Sequence, residues 1–168
     1  MKVIFCTSNA PGAVMIRAAT WSKWSHVGIL LSDGTVVEAT WPKVRHVSLE
    51  TMLSAHTDYY ISEYECTEAE NADIEAYALE QVGKSYDVRA LFGFLVHRDW
   101  TEDNEWFCSE LVAACAAYAG CDLFRLGSSW RVRPQDIWMI KSIKDYDRPA
   151  VDELRAFMLN ESKEVLAA

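Results

Sequence analysis

The stretch SHVGILLSDGTVVEAT, residues 25–40, constrains the fold of this chain more than any other. Two runs of β-forming residues, HVGILL and TVVEAT, flank Ser32-Asp33-Gly34, and that combination specifies a hairpin. Loop length decides the rest, because side chains alternate faces along a strand and a slip of one residue reverses them. A turn at Asp33-Gly34 alone pairs Ser32 with Thr35 and His26 with Trp41, which sets Glu38 on the face opposite His26. A loop of three, Ser32-Asp33-Gly34, with Gly34 left-handed and a bulge, pairs Leu31 with Thr35 and Gly28 with Glu38 instead. His26 and Glu38 are then diagonal neighbours on one face, and Gly28 leaves room between them. Whether the two polar residues work together turns on an odd-length loop.

Around this hairpin, KVIFC (2–6) reads as a buried strand and APGAVMIRAAT (10–20) as a helix opened by Pro11. VRHVSL and DYYISEYEC add two strands, with a short helical piece, LETMLSA, between them. Thr67 and Glu70 form a capping box that opens a helix to about Val82, ended by Gly83. Asp87 then caps a second helix through VRALFGFLV, followed by the polar loop HRDWTEDNE. The next helix, FCSELVAACAAYA, stops at Gly120. RPQDIW turns into a short helix or strand, and VDELRAFML is an amphipathic helix. Strands gather early and helices late, which predicts an α+β class with an antiparallel sheet packed against helices. At 168 residues and 51% apolar composition, the chain suits one domain over residues 1–160, with 161–168 a frayed tail.

Sixteen basic against 25 acidic residues give a net charge of −9. That balance excludes binding of nucleic acid by phosphate neutralisation. MKVIFCTSNAPG carries too short an apolar run for a signal peptide, and no stretch reaches the length of a membrane span. A cytoplasmic home is the expectation, with signal-independent export as the alternative. Cys6, Cys66, Cys108, Cys115 and Cys121 are odd in number and include no CxxC pair. Reduced thiols are expected, with neither a disulfide framework nor a structural zinc site. No pattern calls for a cofactor, and none specifies an oligomeric state.

Cys108 falls in the first turn of its helix, where the positive end of the dipole favours a thiolate nucleophile. The bland alternative is a small buried hydrophobe, since Cys108, Leu111, Val112, Cys115 and Ala119 form one stripe. Its place at the helix start separates Cys108 from Cys115, two turns deeper and expected in the core. A cysteine hydrolase also needs a base near the sulfur and a third group that orients the base. His26 and Glu38 fit those roles if they share a face; otherwise they are a strand-edge histidine and an exposed carboxylate. His46, His56 and His97 read as solvated, with His97 the substitute base. His26, Glu38 and Cys108 are also acceptable zinc ligands, but the close pairs common in metallohydrolases are missing, so this reading ranks below the thiol mechanism.

Taken in order, WSHVGI, VVEAT, GKSYD, WFCSELV and RPQDIW resemble the circularly permuted NlpC-like branch of the papain-fold cysteine hydrolases, including the YiiX-like amidases. The likeness runs from Ser25 to Trp138, and the order His, polar residue, Cys is its diagnostic part. It implies a permuted papain-like fold in which a helix carrying the cysteine packs on a sheet carrying the histidine. It implies Cys108 as nucleophile, His26 as base and then acid, and Glu38 as the orienting residue. Tyr86 matches the tyrosine after the family's glycine-lysine turn, which puts it, with Ser25, at the substrate or the oxyanion; the competing reading is a packed aromatic with a surface hydroxyl. The backbone N–H of Cys108 is the more general oxyanion donor. Such relatives divide between amidases or peptidases, some acting on cell-wall peptides, and lipid enzymes resembling lecithin:retinol acyltransferase. The lipid enzymes usually carry a second His as third residue, so Glu38 tilts the expectation to hydrolysis of an amide or isopeptide bond through an acyl-enzyme. A lipid acyltransferase or thioesterase, with ALFGFLV or WTEDNEW lining an apolar pocket, and a non-catalytic binding module are the alternatives.

Overall fold

The computed structural model describes residues 1–87, 105–121, 123 and 132–156. Its strands are β1 (Lys2–Thr7), β2 (His26–Leu30), β3 (Thr35–Thr40), β4 (Lys43–Ser48), β5 (Asp58–Glu63), β6 (Ser85–Tyr86), β7 (Glu105–Trp106) and β8 (Lys144–Tyr146). They form one sheet in the order β7-β6-β4-β3-β2-β1-β5-β8. All neighbours are antiparallel except β6 and β7, so the sheet expected to be antiparallel is mixed at one edge. The helices are α1 (Pro11–Thr20), α2 (Leu49–Ser54), α3 (Glu68–Glu80), α4 (Cys108–Tyr118) and α5 (Pro134–Trp138), with α6 over 148–156.

The apolar runs at the sheet centre mean that both faces are covered. Val3, Phe5, Val27, Ile29 and Val37 join the cluster that holds Ile74 and Ala78 of α3 and Leu111, Val112 and Cys115 of α4. Ile4, Leu30 and Val36 join Leu49, Met52 and Leu53 of α2 and Val151 of α6. The period-two alternation of each strand thus sorts its residues between two helical layers.

The central hairpin has the odd-length loop. Leu31 N donates to Thr35 O at 2.8 Å, Gly34 N donates to Leu31 O at 3.1 Å, and Gly34 takes φ 81°. Asp33 Oδ1 accepts from Thr35 N at 2.8 Å, which braces the turn. Ile29 stands opposite Val37 and Leu30 opposite Val36, the register that puts Gly28 across from Glu38. The Thr67–Glu70 capping box forms as expected, with bonds of 2.6 and 3.2 Å, and Gly83 turns the chain after α3 at φ 94°. RPQDIW resolves as a helix. α4 is buried on nearly every side, so its alanines and cysteines serve close packing against α3 and the sheet.

The expectation of reduced thiols throughout is overturned. Cys66 and Cys121 are joined in a disulfide across 55 residues, Cα–Cα 5.8 Å. The chain leaving β5 passes beside the end of α4, and nothing local to either cysteine announces that meeting. Cys6, Cys108 and Cys115 are free and buried. The helix expected over VRALFGFLV, most of the HRDWTEDNE loop with His97, and the tail at 161–168 lie outside the described residues. No helix among the described residues is long and apolar enough to cross a membrane.

Candidate active site

His26 opens β2 and Glu38 is the fourth residue of β3, and the hairpin register brings their side chains together. His26 Nε2 is hydrogen-bonded to Glu38 Oε2. Glu38 is only 1% exposed, and a buried carboxylate needs partners for both oxygens. Its second oxygen, Oε1, accepts from Arg45 Nε at 2.8 Å and lies 2.7 Å from Arg45 Nη2. Arg45 stands directly across from Glu38 on β4. Glu38 therefore bridges the imidazole on one oxygen and two nitrogens of the guanidinium on the other. Core packing beside the site explains Gly28: a Cβ there would lie 2.8 Å from Val36 Cγ1 and 3.3 Å from both Met52 Cε and Val37 O.

Cys108 is the first residue of α4 and buried, and it stands near enough to His26 to favour the charged imidazolium. Burial by itself would push the His26 pKa down, but the interaction with Cys108, then the bond and charge of Glu38, override it and push it up to about 10. Burial likewise opposes ionisation of Glu38, yet the bond to His26, its charge and Arg45 bring that carboxyl down to about 2. At neutral pH the pair is an imidazolium and a carboxylate. Cys115 shows the contrast expected of a core thiol, since burial pushes it well up.

The start of α4 carries a second carboxylate. Glu110 Oε2 folds back to accept from Phe107 N at 3.3 Å, filling one of the unpaired N–H groups of the first turn. Burial pushes Glu110 up to about 7, opposed by that backbone bond and aided by the charge of Asp87.

Tyr86 comes to the site's edge. Its ring packs against Phe107 with centroids 5.9 Å apart, and burial first, then the charge of Cys108, pushes its hydroxyl up. Ser25 instead ties strands together: its N donates to Cys6 O at 3.1 Å and its hydroxyl to the same carbonyl at 3.5 Å. Asp87 N donates to Trp106 O at 3.0 Å, and the helix it was expected to cap lies outside the described residues.

Sequence reasoning missed Arg45 and misplaced His56. Arg45 was within reach, because the two residues Trp41 and Pro42 between Thr40 and Lys43 count back to a Glu38–Arg45 pair. His46 is exposed, as expected. His56 is only partly exposed: it follows the C-cap of α2, and its ring stacks on His26 with centroids 5.5 Å apart and planes 5° from parallel. The zinc reading finds no support in the geometry. Among the described residues the three potential ligands that converge are Cys66, Glu70 and Cys121, and there the sulfurs are bonded to each other.

A family model described as a permuted papain-like amidase, the YaeF/YiiX or C92 family, matches residues 2–143. The chain belongs to that family. The expected order of His, carboxylate and Cys is thus carried on the permuted papain-like fold of the C92 family. The probable lipoprotein peptidase YaeF of Escherichia coli K12 is 28% identical over 80% of this chain, and the match spans 61% of that relative's length. The crystal structure of the metalloprotein YiiX of Escherichia coli O157:H7 superposes with a TM-score of 0.65 at 22% identity, over 86% of this chain and 94% of that one. That second likeness concerns the fold.

Proposed function

We propose that this chain is a thiol hydrolase that cleaves an amide or isopeptide bond by acyl transfer through Cys108. The observation that carries the reading is the buried His26, bonded to Glu38 and raised in pKa by its neighbour Cys108 at the start of α4. The imidazolium stabilises negative charge on the sulfur, which attacks the scissile carbonyl. The tetrahedral oxyanion meets the backbone N–H of Cys108 at the start of α4, with Tyr86 at the rim as a second donor. His26 gives its proton to the leaving amine, then takes one from water, and the resulting hydroxide releases the acyl group. Glu38 holds the ring and balances its charge through both steps, as the third member of a triad does. An amide fits better than a lipid ester because the third residue is a carboxylate and because the family is one of amidases.

The test compares wild type with Cys108→Ala on peptide amides and on acyl esters, with circular dichroism as the check on folding. The variant is expected to lose at least about a thousandfold in kcat on the amide while keeping its fold. Unchanged turnover in Cys108→Ala overturns the assignment, and a preference for acyl esters transfers it to a lipid substrate.

A further inference from the structure

We propose that His56 is a positioning residue for the base: its ring fixes the plane of the His26 imidazole, and its own protonation opens the site at acid pH. This rests on the reading of His26 as base given above.

His26 Nε2 is engaged in the plane of the ring by Glu38. That bond leaves the ring free to pivot about it, and a contact on the ring's face stops the pivot. The parallel ring of His56 supplies that contact. His56 is itself held: its Nδ1 donates to Met52 O at 2.8 Å, and α2 is anchored by buried Leu49, Met52 and Leu53. That bond fixes the proton of the neutral form on Nδ1.

The charges around His56 come from every neighbouring strand. His26 faces it from β2, Glu38 from β3 and Arg45 from β4, while the Met52 carbonyl faces it from α2. On β1 the buried thiol of Cys6 is the cross-strand partner of His26, and on β5 Asp58 is paired with Lys23 at 3.6 Å. A neutral His56 offers its ring face to the His26 imidazolium, an attractive contact. A protonated His56 makes a third cation beside His26 and Arg45, against one carboxylate. Burial, then the charge of His26, lowers the His56 pKa, so the ring is neutral near pH 7 and gains charge as the pH falls. The stack therefore opens on the acid side.

His56→Phe keeps a ring face that cannot protonate, and His56→Ala removes the face. Two readouts separate them: kcat and KM for a peptide amide across pH, and the ring-nitrogen NMR signals of His26 across the same range. The Ala variant is expected to lose about tenfold in kcat with KM unchanged, as for a misplaced catalytic group. The Phe variant is expected to stay within about threefold of wild type at pH 7.5 and to extend its activity to lower pH. An Ala variant with wild-type kcat, or a Phe variant that keeps the wild-type acid limb, overturns the proposal; thermal melts exclude unfolding as the cause, with His56→Gln standing in for any variant that fails to fold. The NMR arm does not depend on turnover. If Cys108→Ala stays active, the hydrolase reading fails, while a His26 signal that responds to acid in wild type but not in His56→Phe still supports the stack.

Discussion

His26 and Glu38 stand on neighbouring strands whose register is set by a single loop, whereas Cys108 stands on a helix placed by side chains from distant parts of the chain. At the base end the polar groups are held by hydrogen bonds: Glu38 by His26 and Arg45, His56 by Met52. At the nucleophile end α4 is held by apolar burial against α3 and the sheet, and Cys121 just beyond its last turn is tied to Cys66. The two ends should therefore break differently. Damage at the base end removes chemistry, and damage to the packing and the disulfide that hold α4 removes stability.

The largest effect is expected from Glu38→Gln, which keeps the shape and deletes the charge. Turnover of a peptide amide should fall by about two to four orders of magnitude, the range for loss of a general acid–base function. Thermal stability measured against pH gives an independent reading. Glu38 sits below its ordinary value of 4.5, at about 2, so its contribution is present above about 4.5 and is lost as the pH falls through about 2. His26 sits above its ordinary 6.5, at about 10, so its contribution is complete below about 6.5 and is lost as the pH rises through about 10. Wild type should be most stable between those two ordinary values and weaken on both sides. Glu38→Gln should shrink the acid-side loss, leaving the part carried by other low carboxyls such as Asp136, and reduce the alkaline slope, where only the interaction with Cys108 still raises the His26 pKa. A variant with the wild-type profile would show that the pair contributes nothing to the fold.

Cys121→Ser tests the other end. Closing a loop of 55 residues restricts the unfolded chain, so losing the bond should lower Tm by roughly 10 °C. At 25 °C kcat should stay within about twofold of wild type, because Cys121 lies beyond the far end of α4, more than about three turns from Cys108. A large loss of kcat in the folded variant would show that the staple also aims the nucleophile, and the contrast between the two ends would disappear.

The same contrast governs what the sequence made legible. Ser32-Asp33-Gly34 is local chemistry, with Gly34 at positive φ and Asp33 capping Thr35, and from it the His26–Glu38 pair follows by counting. The capping box at Thr67 and the stripe on α4 were readable for the same reason: each depends on residues three or four apart. Arg45 needed one more turn to be counted. His56 and the Cys66–Cys121 bond depend on where α2 and α4 come to rest on the sheet, a tertiary outcome that no spacing near either residue encodes.

The smallest effect, and the finest test of the comparison, is Arg45→Met. Methionine keeps the apolar stem and removes the guanidinium from Glu38 Oε1. The Arg45 side chain is 40% exposed, so water screens its attraction to Glu38, and the stability loss near neutral pH should stay below about 1 kcal/mol. His26 comes ahead of Arg45 among the groups that hold the Glu38 carboxyl low, so Glu38 remains ionised at pH 7 and turnover should fall only about two- to threefold. What moves is the acid side. Without the guanidinium the Glu38 pKa rises part of the way back, and acid unfolding followed by circular dichroism should begin at higher pH than in wild type. Added salt should narrow the gap between the two proteins, since it weakens the Arg45 attraction more than the buried bond to His26. If Arg45→Met cost as much turnover as Glu38→Gln, the base would be held by the guanidinium and not by the register of β2 and β3.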